Sequence, residues 1–187
     1  MLCRSIIVLT VFLAKATVAL SADWIVDPER SRLTFQSDQF GKPFTGSFPE
    51  YDARIRFDPH DLAQTDVSVA IDITSIQTGD DQRDGSIAGR EWFSSAEYPV
   101  ARFRSERAHH LGGSRYALDG RLSIKGSEQP ATIEFELAIQ ENSAHVIGTM
   151  TVLRSDFGIG EGQFALPQVA TDEVVVNIDL FASALEE

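Results

Sequence analysis

Apolar and polar residues alternate with a period of two in segment after segment of this 187-residue chain. That pattern limits the fold more than any other feature of the sequence. It is the signature of a half-buried β-strand, one face in a core and the other in water. The clearest run sets Ile133, Phe135, Leu137 and Ile139 against Thr132, Glu134, Glu136 and Ala138. Val67, Val69, Ile71 and Ile73 repeat it against Ser68, Ala70, Asp72 and Thr74.

The same rhythm recurs along the chain. Leu33 and Phe35 mark a first strand within Trp24 to Ser37, and Gly41-Lys42-Pro43 turns it into a looser strand from Phe44 to Phe57. Further strands are expected over Val100 to His110, Tyr116 to Ile124, His145 to Leu153 and Glu173 to Ala182, separated by Gly112-Gly113, Gly126 to Pro130 and Asn142-Ser143. Glycine and asparagine punctuate strands because they tolerate turn conformations. About eight strands at short spacing argue an all-β fold, an antiparallel sandwich or closed barrel, in one domain. An eight-stranded barrel has an interior that side chains fill or that holds one small ligand. Val69, Ile71, Phe135 and Leu137 are expected to point inward.

One stretch interrupts the alternation. Between Gly79 and Val100 the chain is polar from Asp80 to Arg90, with Ile87 as its one aliphatic branch, then runs into Trp92-Phe93 and closes at Tyr98-Pro99. Long connections in compact domains are usually functional or carry structure of their own. We expect a short helical lid within Asp81 to Phe93, with Trp92 and Phe93 packed into or across one barrel end. Arg154 to Ala170, which holds Gly158, Gly160 and Gly162, reads as a second, flexible or bulged connection.

The formal net charge is −12. It argues against nucleic acid and anionic lipid surfaces as partners, since both would repel the chain. The N-terminus reads as a secretory signal over residues 1–21, with Arg4 in its positive part and an apolar run from Ile6 to Ala14 too short to span a bilayer. Ala19-Leu20-Ser21 fits a cleavage site that leaves Ala22 as the first mature residue and residues 22–187 as the barrel domain. The alternative is an uncleaved anchor. Cleavage would remove two positive charges, Arg4 and Lys15, and leave −14. The one cysteine, Cys3, lies in that segment, so disulfides, thiolate metal sites and cysteine nucleophiles are excluded from the mature chain.

Several short motifs fall in order along the chain. They are Trp24-Ile25-Val26-Asp27-Pro28 with Ser31, Thr45-Gly46-Ser47-Phe48, Phe57-Asp58, Ile76-Gln77-Thr78-Gly79, Arg83-Asp84, Trp92-Phe93, Tyr98 to Phe103 and Gly120 to Gly126. Together they resemble the YceI-like family of periplasmic, lipocalin-like isoprenoid-binding proteins, over essentially the whole mature chain. The resemblance implies an eight-stranded antiparallel lipocalin-like barrel. It also implies a tunnel for a long polyisoprenoid, such as an isoprenoid quinone or a prenyl phosphate. One departure is that this chain has Asp38-Gln39-Phe40 where many members carry a His or Lys soon after the first strand.

Candidate chemistry is sparse. Asp80, Asp81, Asp84 and Glu91 could supply an acid and a base to a hydrolase, or could be a solvated helix start, where acidic residues are favoured. His109-His110 cannot easily chelate one ion, because neighbours on a strand face opposite ways, and His60 and His145 stand alone. The spaced glycines lack the strand-to-helix context of a dinucleotide fingerprint. No catalytic residue and no metal site are therefore assigned.

The aromatics say more. There are 12 Phe but 3 Tyr and 2 Trp, so most aromatic surface carries no polar tip. The candidate ligand-lining set is Phe35, Phe40, Phe44, Phe48, Val69, Ile71, Trp92, Phe93, Phe103, Phe135 and Phe157. Ordinary core packing would look the same. Arg83 and Arg90 are the candidate rim cations, since Arg102 and Arg104 share the face opposite Phe103. The leading expectation is a periplasmic carrier of an isoprenoid lipid or quinone, not an enzyme, with the lipid as ligand and no cofactor. It would have no stable membrane insertion after signal cleavage and no nucleic-acid partner. A homodimer and a link to envelope stress stay open. The alternatives are an extracytoplasmic hydrolase using the lid carboxylates and a ligand-free partner-binding module.

Overall fold

The computed structural model describes residues 23–166 and 169–185. The proposed signal, Cys3 and the expected cleavage before Ala22 lie outside the described residues. Ten strands form one antiparallel sheet: β1 (Asp23–Val26), β2 (Arg32–Gln39), β3 (Lys42–Ser47), β4 (Tyr51–Arg56), β5 (Asp66–Asp72), β6 (Val100–Gly112), β7 (Arg115–Ile124), β8 (Ser127–Gln140), β9 (Ser143–Leu153) and β10 (Glu173–Ala184). From β4 to β10 each pairs with the next in sequence.

The ring closes through β10. Its first half pairs with β2, as Val176 with Phe35, and its last residues pair with β1, as Ala184 with Trp24. β3 and β4 pair in turn with β2 and β1. Thus β1 with β2, and β3 with β4, are each one barrel strand broken in the middle, and ten segments make a closed eight-stranded barrel. The sequence pattern shows the count but not the breaks.

Each break has a local cause. At the first, Pro28 cannot donate to a ladder. The Asp27 carboxylate accepts the N–H groups of Glu29 and Arg30, turning the chain away. Ser31, only 3% exposed, then substitutes for the lost ladder. Its hydroxyl accepts the Phe181 N–H at 2.9 Å and donates to the Phe181 carbonyl at 3.3 Å. At the second, Pro49 follows Phe48, whose N–H crosses to the Leu33 carbonyl.

Inward residues obey the expected alternation. Phe103 and Ala101 are buried while Arg102 and Arg104 are exposed. One barrel end, the floor, is filled by Trp24, Phe57, Tyr116 and Phe135. Phe57 meets the Tyr116 and Phe135 rings edge-on at 5.3 and 5.6 Å. The Trp24 indole Nε1 donates to the Phe57 carbonyl at 2.9 Å, so this end is anchored by a satisfied buried donor. Near mid-barrel, Gly120 lies under Phe103. A Cβ there would sit 2.7 Å from the Phe103 ring and 2.3 Å from the Arg104 carbonyl oxygen, so only glycine fits.

These positions predict opposite signs for two glycine substitutions. Gly120→Ala should destabilise the barrel by about 1–3 kcal/mol through overpacking. Gly85→Ala should stabilise it by about 0.5–1 kcal/mol, because Gly85 is exposed inside a helix with nothing near an added Cβ. Urea unfolding of both variants is the measurement, and a Gly120→Ala midpoint at or above the parent's would refute the close approach.

Candidate functional site: an apolar bore under a helical lid

The inward faces leave two chambers end to end, each of about 110 Å³. The floor chamber is bounded by Val69, Phe135, Leu137, Val146, Ile178 and Leu180, among others. The lid chamber continues the same strands with Ile71, Leu122, Met150, Val152, Val174 and Val176. Strand period carries one into the other: Val174 and Val176 face the lid chamber, while Ile178, Leu180 and Ala182 of the same strand face the floor chamber. From Val174 to Ala182 the lined path is roughly 26 Å along the strand, at about 3.3 Å per residue. A 150 Å³ apolar cavity elsewhere stays dry and takes up benzene, so each chamber is on the scale of a small hydrocarbon group.

The lid is built by its acidic residues. α1 (Asp81–Ile87) starts where the Asp80 carboxylate accepts the Arg83 N–H at 2.9 Å, an N-cap. Asp84 accepts both the N–H and the hydroxyl of Thr78, fastening the first turn to the connection before it. These two carboxylates are thus occupied in holding the helix. Ile87, on the inner side of α1, is buried and lines the lid chamber with Trp92 and Phe93.

The connection from 154 to 170 closes the same end. It contains two 3-10 turns, Arg154–Phe157 and Gly162–Ala165. Arg154 is 6% exposed and has no carboxylate partner among the described residues. Instead Nε donates to the Thr171 carbonyl, Nη1 to those of Ile159 and Gly160, and Nη2 to those of Phe164 and Ala170, at 2.7–3.1 Å. All five guanidinium N–H groups are therefore used. Gly160 and Glu161 N–H groups bond to the Glu91 carbonyl, which ties this loop to the lid. Lys125 Nζ donates to the Gly158 carbonyl.

The expected residues divide four ways. Phe35, Phe44, Phe48, Ile71, Trp92 and Phe93 line the lid chamber. Val69 and Phe135 line the floor chamber. Phe103 and Phe157 are buried in the core but line neither. Phe103 sits at the boundary, since its β5 partner Val69 faces the floor chamber and its β7 partner Leu122 the lid chamber. Phe40 departs from expectation: it occupies the β2–β3 turn with φ 52°, is 65% exposed and does not reach the bore. The turn rotates it off the inward face.

The rim cations differ from one another. Arg83 lies over the Phe44 ring, its Cζ 4.1 Å from the centroid, and donates to Thr78 Oγ1, the Thr78 carbonyl and Gln39 Oε1. Its side chain pins the lid to β2 and β3. Arg90 is exposed. His109 and His145 are engaged outside the bore. His109 meets Asp119 at 2.7 Å, and the Asp119 carboxyl is held below the usual range chiefly by the Thr132 hydroxyl and then by His109. His145 meets Asp179 at 2.8 Å.

Arg154 had no sequence signal, because a lone arginine after a strand reads as a surface residue. Met150, Val152 and Val174 were detectable as inward positions of their strands. Ile159 was not, because a 3-10 connection has no strand period to read.

Arg154 yields a stability prediction. Arg154→Met should cost about 2–4 kcal/mol, since it strands several buried carbonyls. Arg154→Lys should recover only part of the loss, because an ammonium has three donors for five carbonyls. Urea midpoints of the two variants against the parent test this, and a parent-like Arg154→Met would remove the clamp from the account.

The model of the YceI-like domain family matches residues 24–182. A UPF0312 protein of Vibrio parahaemolyticus is 26% identical over 160 residues, covering 81% of this chain and 85% of that protein. The crystal structure of BcnA from Burkholderia cenocepacia superposes with a TM-score of 0.82 at 31% identity, over 85% of this chain and 100% of that one. A polyisoprenoid binding domain from Saccharophagus degradans, implicated in plant cell wall breakdown, has a TM-score of 0.69 at 20% identity, over 88% of this chain and 99% of its own. At that identity the likeness extends to the fold.

Proposed function

Because this chain belongs to the YceI-like domain family, we propose that it is a non-catalytic carrier that holds an isoprenoid lipid along the barrel axis. The observation that carries this reading is the pair of apolar chambers in series, lined by the same strands and covered by a lid. The S. degradans relative is a polyisoprenoid-binding domain, which supports the same ligand class. The apolar run from Ile6 to Ala14 supports a periplasmic location.

A branched hydrocarbon chain suits this bore. It needs no polar partner, and each buried methylene contributes about 0.8 kcal/mol before association costs. The chambers are narrow, so a ligand of several isoprene units must displace the aromatic side chains at the boundary, Phe103 first. Packed interiors change by discrete rearrangement of such rings.

Charge favours an uncharged head. The chain is acidic overall, and a buried diphosphate would need cations that face it. Arg154 has no spare donor, Arg83 is committed to the lid, and Arg90 is an exposed residue whose ion pairs would contribute only about 0–1 kcal/mol. We therefore assign the ligand to the isoprenoid quinones ahead of the prenyl phosphates.

Two measurements test this. Native mass spectrometry of gently purified protein should show a co-purifying lipid. Ala101→Phe, which fills the lid chamber at a position now 2% exposed, should reduce that occupancy at least about tenfold, since overpacking costs about 1–3 kcal/mol. An empty parent that also takes up no added isoprenoid would end the carrier reading. In competition between a quinone and a prenyl diphosphate of equal tail length, the quinone should win at low and high salt alike. A diphosphate preference that fades with salt would reverse the head assignment.

A further inference from the structure

At the lid end the wall of the bore is not laddered all the way round. β3 pairs with β2 over its whole length. Its other edge meets the chain at one point, where Ser47 and Gln77 exchange both backbone hydrogen bonds, at 2.8 and 3.0 Å. Antiparallel pairing alternates, so Thr45 and Pro43 turn their backbone groups the same way as Ser47. Pro43 has no N–H to offer there. No described strand pairs with this edge from Lys42 to Gly46, and Thr45 is exposed. A proline on such an edge blunts it against an added strand, so the opening does not suit a β-strand partner.

Side chains fill the opening instead. Phe44 points inward from β3 and lines the lid chamber, with the Phe35 ring edge-on to it at 6.1 Å between centroids. Arg83 of α1 lies over the Phe44 ring, Cζ 4.1 Å from its centroid, and reaches on to Gln39 Oε1 at 3.2 Å. That is the one hydrogen bond between α1 and the β2–β3 hairpin among the described residues. From solvent to chamber the seam is thus two side chains deep, Arg83 and then Phe44, with no ladder to break.

The neighbouring routes are more firmly closed. The 154–170 connection over the same end is held by the donations of Arg154 and by backbone bonds to the Glu91 carbonyl. The wall also thins between β1 and β4, whose ladder spans only Asp23–Arg56 and Trp24–Ile55. There Trp24 borders both the outer cleft and the floor chamber, and its bond to the Phe57 carbonyl fixes it in place.

We propose that the isoprenoid enters and leaves sideways, through the seam between β3 and α1, and that Arg83 is the latch of that seam. This rests on the carrier reading above and adds the route to the chamber. Moving Arg83 off Phe44 gives up one hydrogen bond to Gln39 and one cation–π contact. Its bonds to Thr78 lie on the lid side of the seam and need not break. Side-chain rotation is fast and local, whereas parting two strands breaks several backbone bonds together.

The test follows uptake of a quinone with a two-isoprene tail by quenching of tryptophan fluorescence after rapid mixing, since Trp92 lines the lid chamber. Arg83→Ala should raise the rates of both entry and exit about fivefold, the value of one hydrogen bond. A change that only weakened the bound state would raise exit alone, so entry at the parent's rate would overturn the latch. The route is tested separately. With Cys3→Ser the chain has no other thiol, so one new cysteine can carry a bulky maleimide. Thr45→Cys, Asp52→Cys and Gln163→Cys place that cap at the seam, at the β1–β4 cleft and on the 154–170 connection, all at exposed positions. The Thr45 cap should slow entry at least about fivefold and the other two less than about twofold, because entry is limited by opening of the route used. A Thr45 cap without effect, or a cap at Asp52 or Gln163 that slows entry as much, would overturn the seam. Failure of the parent to take up the quinone would overturn the reading on which the seam rests, and the seam with it.

Discussion

The closure of the sheet through β10 is the constraint on which the rest of this molecule depends. An open sheet would leave two edges of unpaired backbone groups. Here one long strand gives its second edge to two short ones, β2 along its first half and β1 at its end. The three-residue slip between those registers is absorbed at Asp27 to Ser31, where the Ser31 hydroxyl stands in for the missing ladder bonds to Phe181. Closure sets the bore. With every strand tilted and paired, the inward residues converge from all sides at fixed height, and their sizes decide where space remains.

That space is divided into two chambers for physical reasons. The floor is stabilised by interlocked aromatic rings and the Trp24–Phe57 hydrogen bond. Mid-barrel, glycine opposite Phe103 allows a close approach that narrows the bore. Above it, aliphatic side chains such as Ile71, Leu122 and Val176 and the rings of Phe35, Phe44, Phe48, Trp92 and Phe93 enclose the second chamber. An ordinary core of this size would pack to crystal-like density. The two chambers are a departure from that density which the closed sheet tolerates, because its backbone bonds do not depend on filling the interior.

The lid end is held by polar groups instead. Asp80 and Asp84 use their charges to start a helix of about two turns and fix it to Thr78. Arg83 spans from that helix to Gln39 and the Phe44 ring. Arg154 gathers carbonyls from both sides of the 154–170 connection, and that connection bonds in turn to Glu91. Asp80, Asp84 and Arg83, which suggested acid–base or anion chemistry by type, are therefore engaged in positioning an apolar wall. The chemistry of the site lies in what these groups surround, a nearly pure hydrocarbon lining with Trp92 in it.

The sequence by itself determined the fold class and most of the lining. A period of two is a local property of each strand, so Ile71, Phe135 and Val176 could be placed on the inner face before any partner strand was known. The lid was legible too, since a polar insertion ending in Trp92-Phe93 can bury its aromatics only by folding back onto the barrel. Only the tertiary structure decided which inward residues face free space and which fill the core, because that depends on register around a closed ring. Phe103 and Ile71 look alike in sequence, yet one sits at a glycine-lined narrowing and the other beside a chamber. Phe40 was misplaced because a single residue in a turn at φ 52° leaves the strand's alternation. Arg154 was invisible for a related reason: its carbonyl partners are gathered by the irregular fold of the connection that follows it, and no period in the sequence encodes that fold.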